Sequence, residues 1–190
     1  MSKIKFGTDG WRGIIAKDFT TDNVKRVAKA TCDWILKNTD NRNIVIGYDC
    51  RFGGTLFAHA TINVFAKHGL KVYYDKHFVS TPMISLAAKT LNCELGVILT
   101  ASHNPPSYNG YKLKSKHGGP LIQKYIDEVE ALIPESYSCE DFSLEEIEQQ
   151  GLLEFVDLET MYFDHVAKNF DLENMNENSE LVVAYDADRK

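Results

Sequence analysis

Ser102, His103, Asn104 and Lys112 are the residues whose types and spacing most readily do chemistry in this chain. They share one stretch, Thr100-Ala101-Ser102-His103-Asn104-Pro105-Pro106-Ser107-Tyr108-Asn109-Gly110-Tyr111-Lys112. A hydroxyl with an imidazole, a carboxamide and an ammonium for neighbours suits a nucleophile working on an anionic, phosphorylated substrate. Two prolines and an Asn-Gly pair are turn chemistry and stiffen the chain just past the serine. The plain alternative is a polar connector, because most Ser-His neighbours in such loops do nothing. A hydrolase elbow is excluded, since Thr100 and Asn104 occupy the glycine positions of Gly-x-Ser-x-Gly. No Walker-type phosphate loop and no dinucleotide Gly-x-Gly-x-x-Gly fingerprint occurs anywhere in the chain.

The elements that must position this stretch alternate between strand and helix. The apolar run in Glu94–Leu99 reads as a buried strand, so the serine loop lies at a strand's C-terminal end, where open α/β sheets keep ligands. A strand over Gly110–Lys114 then returns Lys112 toward Ser102. Upstream, the reading is a short leading strand at Lys3–Phe6 and a glycine-punctuated loop with Thr8, Asp9 and Arg12. A helix over about Thr21–Asn38 follows, capped by Thr20 or Thr21, with Val24, Val27, Ala28, Thr31, Trp34 and Ile35 on one face. Ile44–Asp49 is a strand with Asp49 and Arg51 at its C-terminal end, and Asp49 reads as a loop organiser rather than a catalyst. A helix over about Thr55–His68 closed by Gly69, a strand at Leu70–Asp75 and a helix from Pro82 to about Leu91 complete the alternation. A helix over about Leu121–Ile133 ends at Pro134. Strand–helix–strand units this short make right-handed parallel crossovers. The fold class is therefore α/β: a mixed, mainly parallel sheet sandwiched between helices.

Three motifs carry a family resemblance. The segment Thr100–Pro105 with Tyr108-Asn109-Gly110-Tyr111-Lys112, the N-terminal Phe6-Gly7-Thr8-Asp9-Gly10-Trp11-Arg12-Gly13, and Gly47-Tyr48-Asp49-Cys50-Arg51 resemble, in order and spacing, the α-D-phosphohexomutases. The likeness covers nearly all of the chain but only the family's first domain and the start of its second. It implies that Ser102 is carried as a phosphoserine that donates to a hexose phosphate through a hexose bisphosphate, moving phosphate between positions 1 and 6. It further implies Arg12 and His103 as charge-neutralising groups and Asn104 as a holder of the loop. Lys112 is the candidate acceptor of the attacking hydroxyl's proton, since a desolvated lysine beside other cations can give it up. For Arg12 a structural ion pair with Asp9 or Asp49 stays open. Glucose or mannose is favoured over glucosamine by Trp11 and the Tyr-Asn-Gly-Tyr-Lys segment.

The implied cofactor is Mg2+, held by the Ser102 phosphoryl oxygens and a carboxylate loop. Asp186-Ala187-Asp188-Arg189 resembles the end of the family's magnesium loop, with Ala184 and Tyr185 in place of its first Asp and Gly. Asp186 and Asp188 are thus candidate ligands, and an accidental likeness at a truncated end is the alternative. Residues 1–134 read as the phosphoserine-bearing α/β domain, and 135–178 as its acidic helical continuation and linker. Residues 179–190 read as the start of a truncated second domain, with a strand at Leu181–Tyr185. Within 135–178, Ser143 caps a short helix, Leu153–Val156 is a strand, and Leu158–Phe170 is an amphipathic helix. The family's sugar- and phosphate-reading loops of later domains are absent, so the chain alone is expected to lack mutase turnover. A non-catalytic sugar-phosphate-binding domain, or one that self-associates into a homo-oligomer through surfaces exposed by truncation, are the alternatives.

Composition bounds these readings. The 190 residues are 44% hydrophobic and 25% charged, in the globular range. Residues 1–134 hold 18 Lys and Arg against 11 Asp and Glu, whereas 135–180 hold one basic residue against 14 acidic ones. The serine-bearing part therefore favours an anionic ligand without making a nucleic-acid surface. No signal-peptide or membrane-spanning run is evident, so no membrane partner is expected. Cys32, Cys50, Cys93 and Cys139 are scattered and read as reduced thiols of a cytoplasmic protein.

Overall fold

In the computed structural model, which describes residues 4–7, 10–171 and 174, the alternation expected above becomes one sheet between two helical layers. The strands are β1 (Trp11–Ile14), β2 (Asn43–Tyr48), β3 (Lys71–Phe78), β4 (Leu95–Leu99), β5 (Tyr108–Ser115) and β6 (Leu153–Phe155). They lie in the order β1-β5-β4-β2-β3-β6. The pairs β4–β2, β2–β3 and β3–β6 are parallel, while β1–β5 and β5–β4 are antiparallel. The sheet is mixed and mainly parallel, and the fold class is as expected.

The helices are α1 (Thr21–Asn38), α2 (Gly54–Lys67), α3 (Thr81–Thr90), α4 (Gln123–Ala131), α5 (Leu144–Gln149) and α6 (Leu158–Asn169). Helices α1, α2, α4 and α5 pack together on one face, and α3 packs with α6 on the other. The apolar stripe of α1 buries Val24, Val27, Ala28, Thr31, Trp34 and Ile35, and the Thr20 hydroxyl accepts from the Asn23 N–H to start the helix. Alternate residues of the central strands serve the two layers. Val97, Leu99, Trp11, Tyr111 and Leu113 join the larger core beneath α1 and α2. Val45 and Ile98 face the smaller core with Ile84, Ala87 and Ala88 of α3. Gly47 and Gly96 let α3 come close, for a Cβ at either would stand under 3.0 Å from Ile84.

One expectation is corrected. Residues 4–6 form no strand, and the first strand among the described residues is Trp11–Ile14, inside the segment read as a loop. Its glycines hid an edge strand: Gly13 allows the turn Asp18–Phe19 to lie on it, with an added Cβ 3.0 Å from the Asp18 side chain. Within 135–178, the strand expected at Leu153–Val156 is β6, which extends the sheet beside β3. Of the α6 helix expected to be amphipathic, only Leu158 is buried. Leu181–Tyr185 lies outside the described residues.

Asp75 fastens α6 to the sheet. It is 2% exposed, its Oδ2 accepts from the Leu158 N–H at 2.8 Å, and its Oδ1 accepts from the His77 N–H at 2.9 Å. An Asp75→Ala variant strands a buried donor at the start of α6, which costs about 1–3 kcal/mol. The expected result is a urea midpoint lowered by that amount, with α6 amides exchanging before those of β2 and β4. Equal midpoints for the variant and the parent protein would exclude this anchoring role.

None of the four cysteines is paired. Burial pushes the Cys93 thiol up to about 12 and raises that of Cys32, so both are neutral packing groups. Among the described residues, no helix is long and apolar enough to cross a membrane.

Candidate active site

Strand β4 ends at Leu99, and there the backbone leaves the sheet through Thr100 and Ala101 to reach Ser102, which is exposed. Ser102 has φ of +56°, in the left-handed region where L-residues other than Asn and Asp are uncommon. Its N–H donates to the Thr100 hydroxyl at 3.0 Å, and that hydroxyl donates to Asp49 Oδ2 at 2.5 Å. The Asp49 N–H in turn donates to the Leu99 carbonyl, tying the ends of β2 and β4 together. Ser102 and His103 stand beside a cleft of about 330 Å3 whose other walls are Asp49, Thr100, Ile98, Val79, and Ser80 and Thr81 at the start of α3.

The pairing of β5 places the cations relative to this cleft. Gly110 lies opposite both Arg12 of β1 and Thr100, and Lys112 lies opposite Ile98. Directly opposed residues share a face, so Arg12, Lys112, Ile98 and Thr100 all project to the α3 side, where the cleft is. Arg12 is half-buried and its Nη1 donates to Asn104 Oδ1 at 2.8 Å. The Asn104 carboxamide is the contact seen for Arg12, Asp49 pairs with Arg51, and Asp9 lies outside the described residues. Asn104 thereby ties the loop to β1.

Lys112 is 5% exposed and is not among the residues lining the cleft. Its stem runs over Gly10, where an added Cβ would stand 2.9 Å from Lys112 Cγ and 2.5 Å from the Tyr111 carbonyl. His103 is exposed, and its Nδ1 is 3.5 Å from Ser102 Oγ, a long contact that leaves the imidazole on the solvent side. The structure thus gathers Ser102, His103, Thr100 and Asp49 at the cleft, links Arg12 through Asn104, and keeps Lys112 on the same sheet face beneath.

Arg51 is the residue that sequence reasoning located but gave no role. It is 5% exposed and runs beneath the serine loop. Its Nη2 donates to the carbonyls of Ser102 and Asn104, both at 2.6 Å. Its Nη1 donates to the carbonyls of Pro105 at 2.9 Å and Tyr108 at 3.0 Å. Its Nε is 3.5 Å from Asp49 Oδ2 and is otherwise without a hydrogen-bond partner. A turn-rich loop with two prolines has carbonyls in excess of donors, and that imbalance was the available signal.

A magnesium site would need converging oxygen donors. Among the described residues, no three His, Cys, Asp or Glu side chains converge. Asp49, the carboxylate on the cleft wall, is engaged by Thr100 and by the Arg51 N–H. Asp186 and Asp188, the expected ligands, lie outside the described residues. The described side chains do not form a magnesium site by themselves.

Comparison with known proteins agrees with the fold and the motifs. The family description "Phosphoglucomutase/phosphomannomutase, alpha/beta/alpha domain I" matches residues 3–139. The "Probable phosphoribomutase" of Schizosaccharomyces pombe is 36% identical over 137 residues, 69% of this chain and 23% of that protein. A "Phosphoglucomutase" of Staphylococcus aureus is 37% identical over 141 residues, 67% of this chain and 25% of that protein. A solved structure, a "putative phosphomannomutase" from Thermus thermophilus, superposes with a TM-score of 0.82 at 37% identity. That match covers 90% of this chain and 37% of the other. The chain therefore spans about a quarter of the length of these curated relatives.

Proposed function

The chain belongs to the phosphoglucomutase/phosphomannomutase family, as its alpha/beta/alpha domain I, and from that premise we propose that Ser102 is the phosphoryl carrier of a sugar phosphomutase reaction. The observation that carries the reading is the presentation of Ser102. The one hydroxyl of the expected type stands exposed at a cleft, its N–H and carbonyl both fixed from within, with Arg12 and Lys112 on the same face.

In this reaction a sugar hydroxyl oxygen forms a bond to phosphorus as the bond from phosphorus to Ser102 Oγ breaks. The hydroxyl's proton passes to Lys112 and from there to Ser102 Oγ as the serine oxygen leaves. The resulting bisphosphate turns over, and its other phosphate goes back to Ser102, whose proton is then released to the leaving sugar oxygen. The net result is movement of phosphate between positions 1 and 6 of a hexose. Such transfer depends on positioning and charge stabilisation more than on covalent assistance. Arg12 and His103 would neutralise the phosphoserine, which carries about −1.5 to −2 charges at neutral pH. Magnesium enters the proposal only as further charge neutralisation at the phosphoryl oxygens, and no step above runs through it.

The test is intact mass after incubation with glucose 1,6-bisphosphate, mannose 1,6-bisphosphate or ribose 1,5-bisphosphate, the last because one relative bears a phosphoribomutase name. The expected result is the gain of one phosphoryl group from a hexose bisphosphate, with the sugar monophosphate appearing in equal amount. Absence of any gain with all three would overturn the proposal.

A further inference from the structure

We propose that Arg51 is a positioning residue for phosphoryl transfer at Ser102, setting the direction of the serine Oγ by holding the backbone around it. The inference rests on the reading of Ser102 given above and adds to it a residue that touches neither substrate nor phosphate.

A guanidinium has five N–H donors in a rigid fork. Here four of them are spent on one loop, reaching the carbonyls of Ser102, Asn104, Pro105 and Tyr108. Those four carbonyls span the whole turn, so one buried side chain fixes its shape from beneath. A charged group is costly to bury. The only carboxylate paired with it among the described residues is Asp49, through an Nε contact of 3.5 Å. The carbonyl dipoles of the loop therefore carry most of the neutralisation, and the charge is satisfied only while the loop keeps this shape. The left-handed backbone of Ser102 is disfavoured relative to an ordinary conformation. Such a conformation persists where its surroundings over-determine it. At Ser102 the surroundings are Arg51 on the carbonyl and Thr100 on the N–H, the latter held by Asp49. In-line transfer is sensitive to this geometry, because displacement of a reacting atom by about 1 Å can cost 10²-fold in rate.

Lysine keeps the charge but offers three donors from a single point and cannot span the four carbonyls. The experiment compares the full chain with Arg51→Lys and Arg51→Ala, following phosphate uptake at Ser102 from a saturating hexose bisphosphate. The expected result is a rate constant lowered about 10²-fold in Arg51→Lys, with the half-saturating bisphosphate concentration unchanged within about threefold. Partial recovery of Arg51→Ala by added methylguanidinium is also expected. Uptake at the rate of the parent protein in Arg51→Lys overturns the proposal. So does loss of the folded circular-dichroism spectrum in both variants, which would make Arg51 a support of the domain and not of the serine. If the parent protein itself takes up no phosphate, the reading of Ser102 fails and the clamp is judged by hydrogen exchange. Amides of residues 102–108 exchanging at least tenfold faster in Arg51→Lys uphold the clamp, and unchanged exchange overturns it.

Discussion

Ser102→Ala and Ser102→Gly both lose phosphate uptake completely, and they separate from each other in stability. Removal of Oγ leaves no oxygen to bear the ester, and the neighbouring hydroxyl of Thr100 cannot replace it. Thr100 is buried, and its hydroxyl donates to Asp49 and accepts from the Ser102 N–H. The expected loss of uptake is therefore at least 10³-fold, with the fold retained. The two variants differ in the backbone they place at φ of +56°. Alanine meets the same steric penalty as serine there, whereas glycine does not. Ser102→Gly should be about 1 kcal/mol more stable than Ser102→Ala, read as a difference in urea midpoint. A phosphate still gained by either variant would move the carrier to another residue. Equal stability of the two would mean that the left-handed backbone is no burden.

Gly110→Ala is expected to force apart the strands that carry the site. Gly110 lies between β1 and β4, opposite Arg12 on one side and Thr100 on the other. A Cβ at this position would stand 2.5 Å from the Thr100 carbonyl and 2.9 Å from the Trp11 carbonyl. Both are backbone atoms and neither can rotate away, so the strands must part. Overpacking of this kind costs about 3 kcal/mol, which for a domain of this size corresponds to a fall of roughly 6–12 °C in Tm. The matched control is Gly119→Ala, where no atom lies within 4 Å of the new methyl and no change beyond about 0.5 kcal/mol is expected. A Gly110→Ala protein melting with the parent would show that this strand junction yields easily.

The parts of the fold that were legible in the sequence are those written in periodicity. The bounds expected for α1 coincide with those found, because an apolar stripe, a threonine cap and a polar end all agree. The strand before Ser102 and the returning strand were legible as apolar and alternating runs bounded by turn residues. Strand β1 was not, because Gly10 and Gly13 punctuate it; their work is to admit β5 and the turn at Asp18 at close range, which no local pattern reports. Ser102 was legible through its motif, and Arg12 and Lys112 by their positions on either side of it. The fork of Arg51 was not, since a charged residue destined for burial looks like a surface residue until its four acceptors are brought together from 51 to 57 positions away. The left-handed backbone of Ser102 was likewise out of reach, being imposed by partners at Thr100 and Arg51 rather than by its own side chain.

The clamp beneath the loop reads main-chain oxygens and not side chains. His103, Pro106 and Ser107 are exposed and supply none of the four acceptors. Exchanging the side chains of Pro106 or Ser107 therefore leaves all four of these bonds, and the backbone they hold, in place. The architecture thus divides labour: side chains can vary along the outer turn, and the main chain around Ser102 is held from below.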